Sequence, residues 1–248
     1  MLKKALFFLV SYSAFAFSMD IDLSFNEKSF YSQNGEDGVI AKIFQLIDPS
    51  SKSCVEIGAR DGMLDSNTCL LRLQHWKALL LDKSYEKEEN HLYKEFIVAE
   101  NINEIFKKYE VPFDITLLSI DTSYNGFYFW KALDEKYKPS LVLIKYNAVL
   151  LPSEDKVVKY RPLFTGDKTT YFGASLLALH RLARAKGYSL VYVESSGTTA
   201  FFVRDDLLTD KPFSFKDTND VEKLYRRAVG KRREPDTKKR EYVKPQEL

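Results

Sequence analysis

Residues 54–62, Cys-Val-Glu-Ile-Gly-Ala-Arg-Asp-Gly, set a carboxylate between a short apolar run and two glycines. Val55, Glu56 and Ile57 read as the end of a strand, so Glu56 is delivered into a loop framed by Gly58 and Gly62. Glycine permits positive φ and close backbone approach, while a carboxylate can hold a ligand amine or hydroxyl; the pairing suits a nucleotide-type ligand. The spacing is Gly-x-x-x-Gly, not the Gly-x-Gly-x-x-Gly of dinucleotide binders, which argues against a pyrophosphate. Two further acids close apolar runs in the same manner, Asp82 after residues 78–81 and Asp121 after residues 115–120. Asp82 follows Gly62 by 20 residues, an interval that suits a carboxylate gripping ribose hydroxyls. Any one of these acids could simply cap the helix that follows it. Three of them at strand tips, beside a glycine-framed loop, point to a ligand.

The elements that must carry these residues alternate between strand and helix. Val39, Ile40, Ile43, Phe44 and Ile47 recur at helical spacing, so Ser32–Gly38 forms the loop and first turn of an amphipathic helix. Strands are expected at 53–57, 78–81, 97–99, 115–120 and 141–146, and Ser66 or Asn67 can cap a helix that runs to about Gln74. A long polar loop, 151–170, precedes a helix over 173–186. The runs 189–193 and 200–203 are too close for a crossover helix and must pair antiparallel. The expected fold is α/β, a doubly wound, mostly parallel sheet with one reversed edge strand. The tail from Arg226 to Lys244 is dense in Lys and Arg and reads as a solvated helix end followed by a disordered terminus.

With 248 residues, 45% hydrophobic and 14% aromatic, the chain can bury the core of one such domain. A formal charge of +2 indicates no particular partner, and no nucleic acid is expected. Cys54 and Cys69 form no disulfide framework, His75, His91 and His180 do not cluster, and no metal is expected. Lys3 and Lys4 precede an apolar run, Ala5 to Phe17, that ends in small residues at Ala14-Phe15-Ala16 or Ala16-Phe17-Ser18. This is a signal-peptide pattern over 1–18, too short to span a bilayer, so an exported chain without a stable membrane span is expected.

Val55-Glu56-Ile57-Gly58-Ala59-x-Asp61-Gly62 with Ser66-Asn67-Thr68, preceded by Ser32-Gln33-Asn34-Gly35-Glu36-Asp37, resembles the FkbM-type, S-adenosylmethionine-dependent methyltransferases. The stretches 171–176 and 200–206 resemble a divergent branch of that group, and the likeness covers roughly residues 30–210, leaving 211–248 as a C-terminal helix and basic tail. The resemblance implies a Rossmann-like class I methyltransferase sheet whose last strand is antiparallel. It implies that Glu56 and the Gly58, Ala59, Asp61 and Gly62 backbone face the methionine part of S-adenosylmethionine, and that Asp82 takes the ribose hydroxyls. Glu100 or Asn101 would meet the adenine edge, Gln33 and Asp37 would cover the cofactor, Asn67 would brace the loop, and Asp121 would stand near the methyl donor as the catalytic residue. The acceptor would be a hydroxyl of a small-molecule or glycan substrate.

This chain departs from that pattern at two places. Relatives carry an Asp-x-Asp-Gly-x-Asp-like run after strand four, whereas Ser123 and Gly126 fill the acidic positions here and Tyr124 replaces the glycine. After strand five, Ile144-Lys145-Tyr146-Asn147 replaces Ile-Glu-x-Asn, and Lys145 reads as a structural ion-pair partner of Asp121. An exported, non-catalytic binding or interaction protein on the same fold is therefore the alternative. An NAD-dependent enzyme is disfavoured by the missing middle glycine.

Overall fold

The computed structural model describes residues 19–229 and 233–247; the expected leader lies outside them. Seven strands make one sheet: β1 (Ser53–Ile57), β2 (Lys77–Asp82), β3 (Leu92–Lys94), β4 (Leu117–Ile120), β5 (Leu141–Lys145), β6 (Tyr188–Val193) and β7 (Thr199–Arg204). Their order is β3-β2-β1-β4-β5-β7-β6, parallel throughout except for β7, which runs against both of its neighbours. The helices are α1 (Glu36–Ile47), α2 (Cys69–Leu73), α3 (Ile102–Lys108), α4 (Gly126–Ala132), α5 (Leu176–Ala185) and α6 (Val221–Leu224).

The central strands are buried on both faces, as a parallel sheet between helices requires. Side chains alternate between the faces. Val55, Ile57, Leu118, Ile120, Val142 and Ile144 pack with α3, α4 and α5, while Cys54, Leu117, Leu141 and Leu143 pack with Val39, Ile40, Ile43 and Ile47 of α1. Among the described residues no helix is long and apolar enough to cross a membrane.

Three expectations need correction. The third strand is Leu92–Lys94, not 97–99: β2 ends at Asp82, which is level with Lys94, so residues beyond 95 have no neighbour to pair with. Ile97 instead packs into the core, and Asn101 Oδ1 accepts the N–H of Val98 at 2.8 Å. The reversed strand is internal. The chain crosses from β5 to β6 through α5, leaving one strand width open, and the hairpin back along β7 fills it.

The described part of the basic tail from 233 onward is also docked rather than solvated. Tyr242 and Val243 pair antiparallel with Val158 and Val157. The Arg240 guanidinium bonds Asp167 and Asp236, both at 2.9 Å, and lies 4.3 Å from the Tyr171 ring centre. In front of the tail, Phe213–Phe215 pairs in parallel with Met19–Ile21.

Candidate functional site

Strand order reverses between β1 and β4, so their carboxyl ends part and leave a crevice there. The register aligns its residues. Ile57 is level with Leu81 and Ile120, and Ile120 with Ile144, so Gly58, Asp82, Asp121 and Lys145 form the next row at the sheet edge. Gly58 has φ +85°, and a Cβ there would stand 2.3 Å from the Asp121 carbonyl oxygen. Only glycine lets the loop turn this close to β4.

Asp82 ties that loop to the tip of β2. Its Oδ2 accepts the Arg60 N–H at 3.0 Å, and its Oδ1 accepts those of Ser84 at 2.8 Å and Tyr85 at 3.3 Å. Asp121 and Lys145 form an ion pair, their side chains 12% and 22% exposed. The expected pairing of these two residues is thus present.

Above this row opens a cavity of about 300 Å³. Gly58, Asp82, Asp121 and Lys145 lie in its base, Phe96, Ile97 and Phe129 supply apolar wall, and Pro162, Phe164 and Thr165 come over it from the 151–170 loop. Two residues that follow β4, Tyr124 and Asn125, hold this roof. Tyr124 donates to the Lys159 carbonyl at 3.2 Å, Asn125 Nδ2 donates to that of Arg161 at 2.9 Å, and the Tyr124 and Phe164 rings meet edge-on with centres 4.6 Å apart. Thr122 Oγ1 and Asn125 Oδ1, on two residues that line the cavity, are buried without a partner among the described residues.

The other expected site residues serve the frame. Glu56 is 1% exposed and points away from the cavity, accepting from Ser66 Oγ (2.7 Å), Asn67 N–H (2.9 Å) and Thr68 Oγ1 (2.6 Å). Burial pushes its carboxyl above the usual carboxylate range, against the pull of those donors. Asn67 ties its segment to β4, its Nδ2 donating to Ser119 Oγ at 3.0 Å. Asp37 Oδ2 accepts the N–H groups of Phe30, Tyr31 and Ser32, fixing the segment before α1. Ala59 packs against Leu80 and Leu92. Asp61 turns outward to accept from Met63 and Leu64, whose N–H groups hold its carboxyl below the usual range. Asn101 is occupied by its own turn, and Glu100 accepts from the Tyr160 hydroxyl. Gln33 and Asn67 line a hole of about 10 Å³ on the far side of the Asp121–Lys145 pair, room for roughly one water.

The site therefore gathers Gly58, Asp82 and Asp121 from the expected set. Sequence reading missed its apolar wall and roof, Phe96, Ile97, Phe129 and Phe164, because these residues come from separate loops and from α4 and share no spacing signal. A carboxylate row, a glycine turn and an apolar wall suit a ligand with hydroxyl groups at one end and a flat apolar face at the other. None of the histidines lines the cavity, and among the described residues no cluster of His, Cys, Asp or Glu is placed to hold a metal ion. The chain matches no family model, and no curated protein matches it.

Proposed function

We propose that this protein binds S-adenosylmethionine in the cavity at the β1–β4 crevice and transfers its methyl group to an oxygen of a small-molecule or sugar-like acceptor. The observation that carries this reading is Asp82 and Gly58 facing one cavity at the point where strand order reverses. The seven-stranded sheet with a single antiparallel strand, and the resemblance around 32–37 and 55–68, support it. When bound, the cofactor supplies an electrophilic methyl on a sulfonium.

The chain's own residues do the rest. Asp82 accepts from the ribose hydroxyls, the Gly58 turn lets the ligand lie on the backbone, and Phe96, Ile97 and Phe129 cover the base. Asp121 and Lys145 position the acceptor at the base of the cavity, where alignment for in-line displacement is the main source of rate. Calorimetry with S-adenosylmethionine on the mature chain tests this; no binding at millimolar donor refutes the assignment.

The Asp121–Lys145 pair favours a second reading, an exported binding protein that keeps the fold without turnover. Donor binding with no methyl transfer to any oxygen acceptor selects it. The leader belongs to either reading, and Edman sequencing of the native protein checks it: the mature chain should begin just after Ala16 or Ser18.

A further inference from the structure

The cavity shows which kind of acceptor its chemistry accommodates, an inference that rests on the methyl-transfer reading above. A hydroxyl acceptor must lose its proton as the methyl arrives, so some group in reach must take it. Three acids line the cavity, and each is already engaged. Asp82 receives three backbone N–H groups. Glu95 is held by Lys108 Nζ at 2.6 Å and the Tyr109 hydroxyl at 2.8 Å, and the lysine keeps its carboxyl below the usual range. Asp121 is bound to Lys145, and protonating it would strand a largely buried ammonium without its counter-charge. The Tyr124 phenol, its acidity suppressed by burial, donates to a backbone carbonyl.

Donors are in surplus by comparison. Lys145 carries three N–H donors, and Asp121 is its sole hydrogen-bonding or ion-pair partner among the described residues. Lys83, also in the lining, has no ion-pair partner among them, and Arg60 engages one guanidinium nitrogen with Asp65. A site rich in cationic donors and short of a free base suits an acceptor that arrives already ionised.

We infer that the acceptor is a carboxylic acid, received as its carboxylate by the free donors of Lys145. Such a group is ionised at neutral pH without help. In the step, a carboxylate oxygen forms the new bond to the methyl carbon while the carbon–sulfur bond breaks and its electron pair stays on sulfur. Anion and sulfonium become a neutral methyl ester and a neutral thioether, and no proton moves. Lys145 holds the nucleophile in place, and Asp121 holds Lys145. The lysine that replaces a family glutamate thus changes the acceptor from a hydroxyl to an acid.

The test uses benzoate and benzyl alcohol as matched probes, with saturation-transfer NMR on the mature chain in the presence of S-adenosylhomocysteine. Benzoate should bind at least about tenfold more tightly than benzyl alcohol, and Lys145→Gln should abolish that preference, as loss of a charge-assisted hydrogen bond implies. Equal binding of the two probes, or a benzoate preference that survives Lys145→Gln, overturns the inference. Because Lys145→Gln leaves the Asp121 carboxylate unpaired, the double variant Asp121→Asn/Lys145→Gln provides a neutral pair in the same place and should show the same loss. Calorimetry of S-adenosylhomocysteine on the same samples separates the failures. No nucleoside binding sinks the proposed function, whereas binding without a carboxylate preference sinks this inference alone.

Discussion

Glu56 is the penultimate residue of β1 and Asp82 the last of the neighbouring β2, yet one is spent on the fold and the other lines the cavity. The difference lies in what reaches them. Ser66, Asn67 and Thr68 fold back onto Glu56, while Asp82 receives only backbone N–H groups, one on Oδ2 and two on Oδ1, and lines the cavity. Asp82→Asn retains an acceptor for the Arg60 N–H but loses the charge. It should weaken S-adenosylmethionine binding about tenfold, as charge-assisted hydrogen bonds worth ~1.5–3 kcal/mol imply, and an unchanged calorimetric dissociation constant removes Asp82 from the site. Glu56 has a different signature. Its native carboxyl holds a proton to higher pH than the ordinary value of 4.5, so across that window the folded chain binds more protons than the unfolded one. Stability from this residue is therefore greatest below about pH 4.5 and falls as pH rises through the native value. Glu56→Gln removes the titration, so the gap in thermal midpoint between wild type and variant should move against wild type from pH 4.5 to about 8; a constant gap refutes it. Strand-end acids were legible because an apolar run closing in a carboxylate is local. Which acid the fold consumes was not, because Ser66–Thr68 and Glu56 are brought together by the turn between them.

At the scale of elements, the site depends on β1 and β4 ending at one level and splaying by no more than a glycine allows. Gly58→Ala must place a methyl 2.3 Å from the Asp121 carbonyl in a left-handed backbone conformation. The strain alone costs about 1–3 kcal/mol, and relieving the clash displaces Asp121 and its lysine. We expect a lower urea midpoint together with weaker donor binding, and a variant with wild-type values for both would show that the turn does not set the crevice. Periodicity located α1, β1, β2, β4, β5 and the β6–β7 hairpin, because those segments bury side chains at regular spacing. It misplaced β3, since Ile97 is as buried as a strand residue while its backbone turns on Asn101. Sheet order was not available from periodicity at all: the insertion of β7 between β5 and β6 is a tertiary choice that leaves no mark on the hairpin's own residues.

Across the whole molecule, the cavity is closed by segments distant from the glycine loop in sequence. The sheet edge supplies its base, and the 151–170 loop its roof, and that roof is buckled down by the C-terminal arm. Composition concealed this, because lysine- and arginine-rich chain looks solvated until the acids and rings it meets are known. Arg240 meets Asp167, Asp236, Thr169 and the Tyr171 face, while the Tyr171 hydroxyl donates to Glu241 and Tyr242 donates to the Thr170 carbonyl. Such an arm sets local rather than global stability, since few of its contacts reach the sheet. Arg240→Ala should therefore raise amide hydrogen exchange across 159–173 and 234–243 while leaving β1, β4 and β5 as protected as before. Freeing the roof should also speed dissociation of a bound nucleoside, which stopped-flow displacement of S-adenosylhomocysteine would register. If exchange in 159–173 is unchanged, Tyr124, Asn125 and Tyr128 alone hold the roof through their bonds to Lys159, Arg161 and Val158, and the arm is only laid over it.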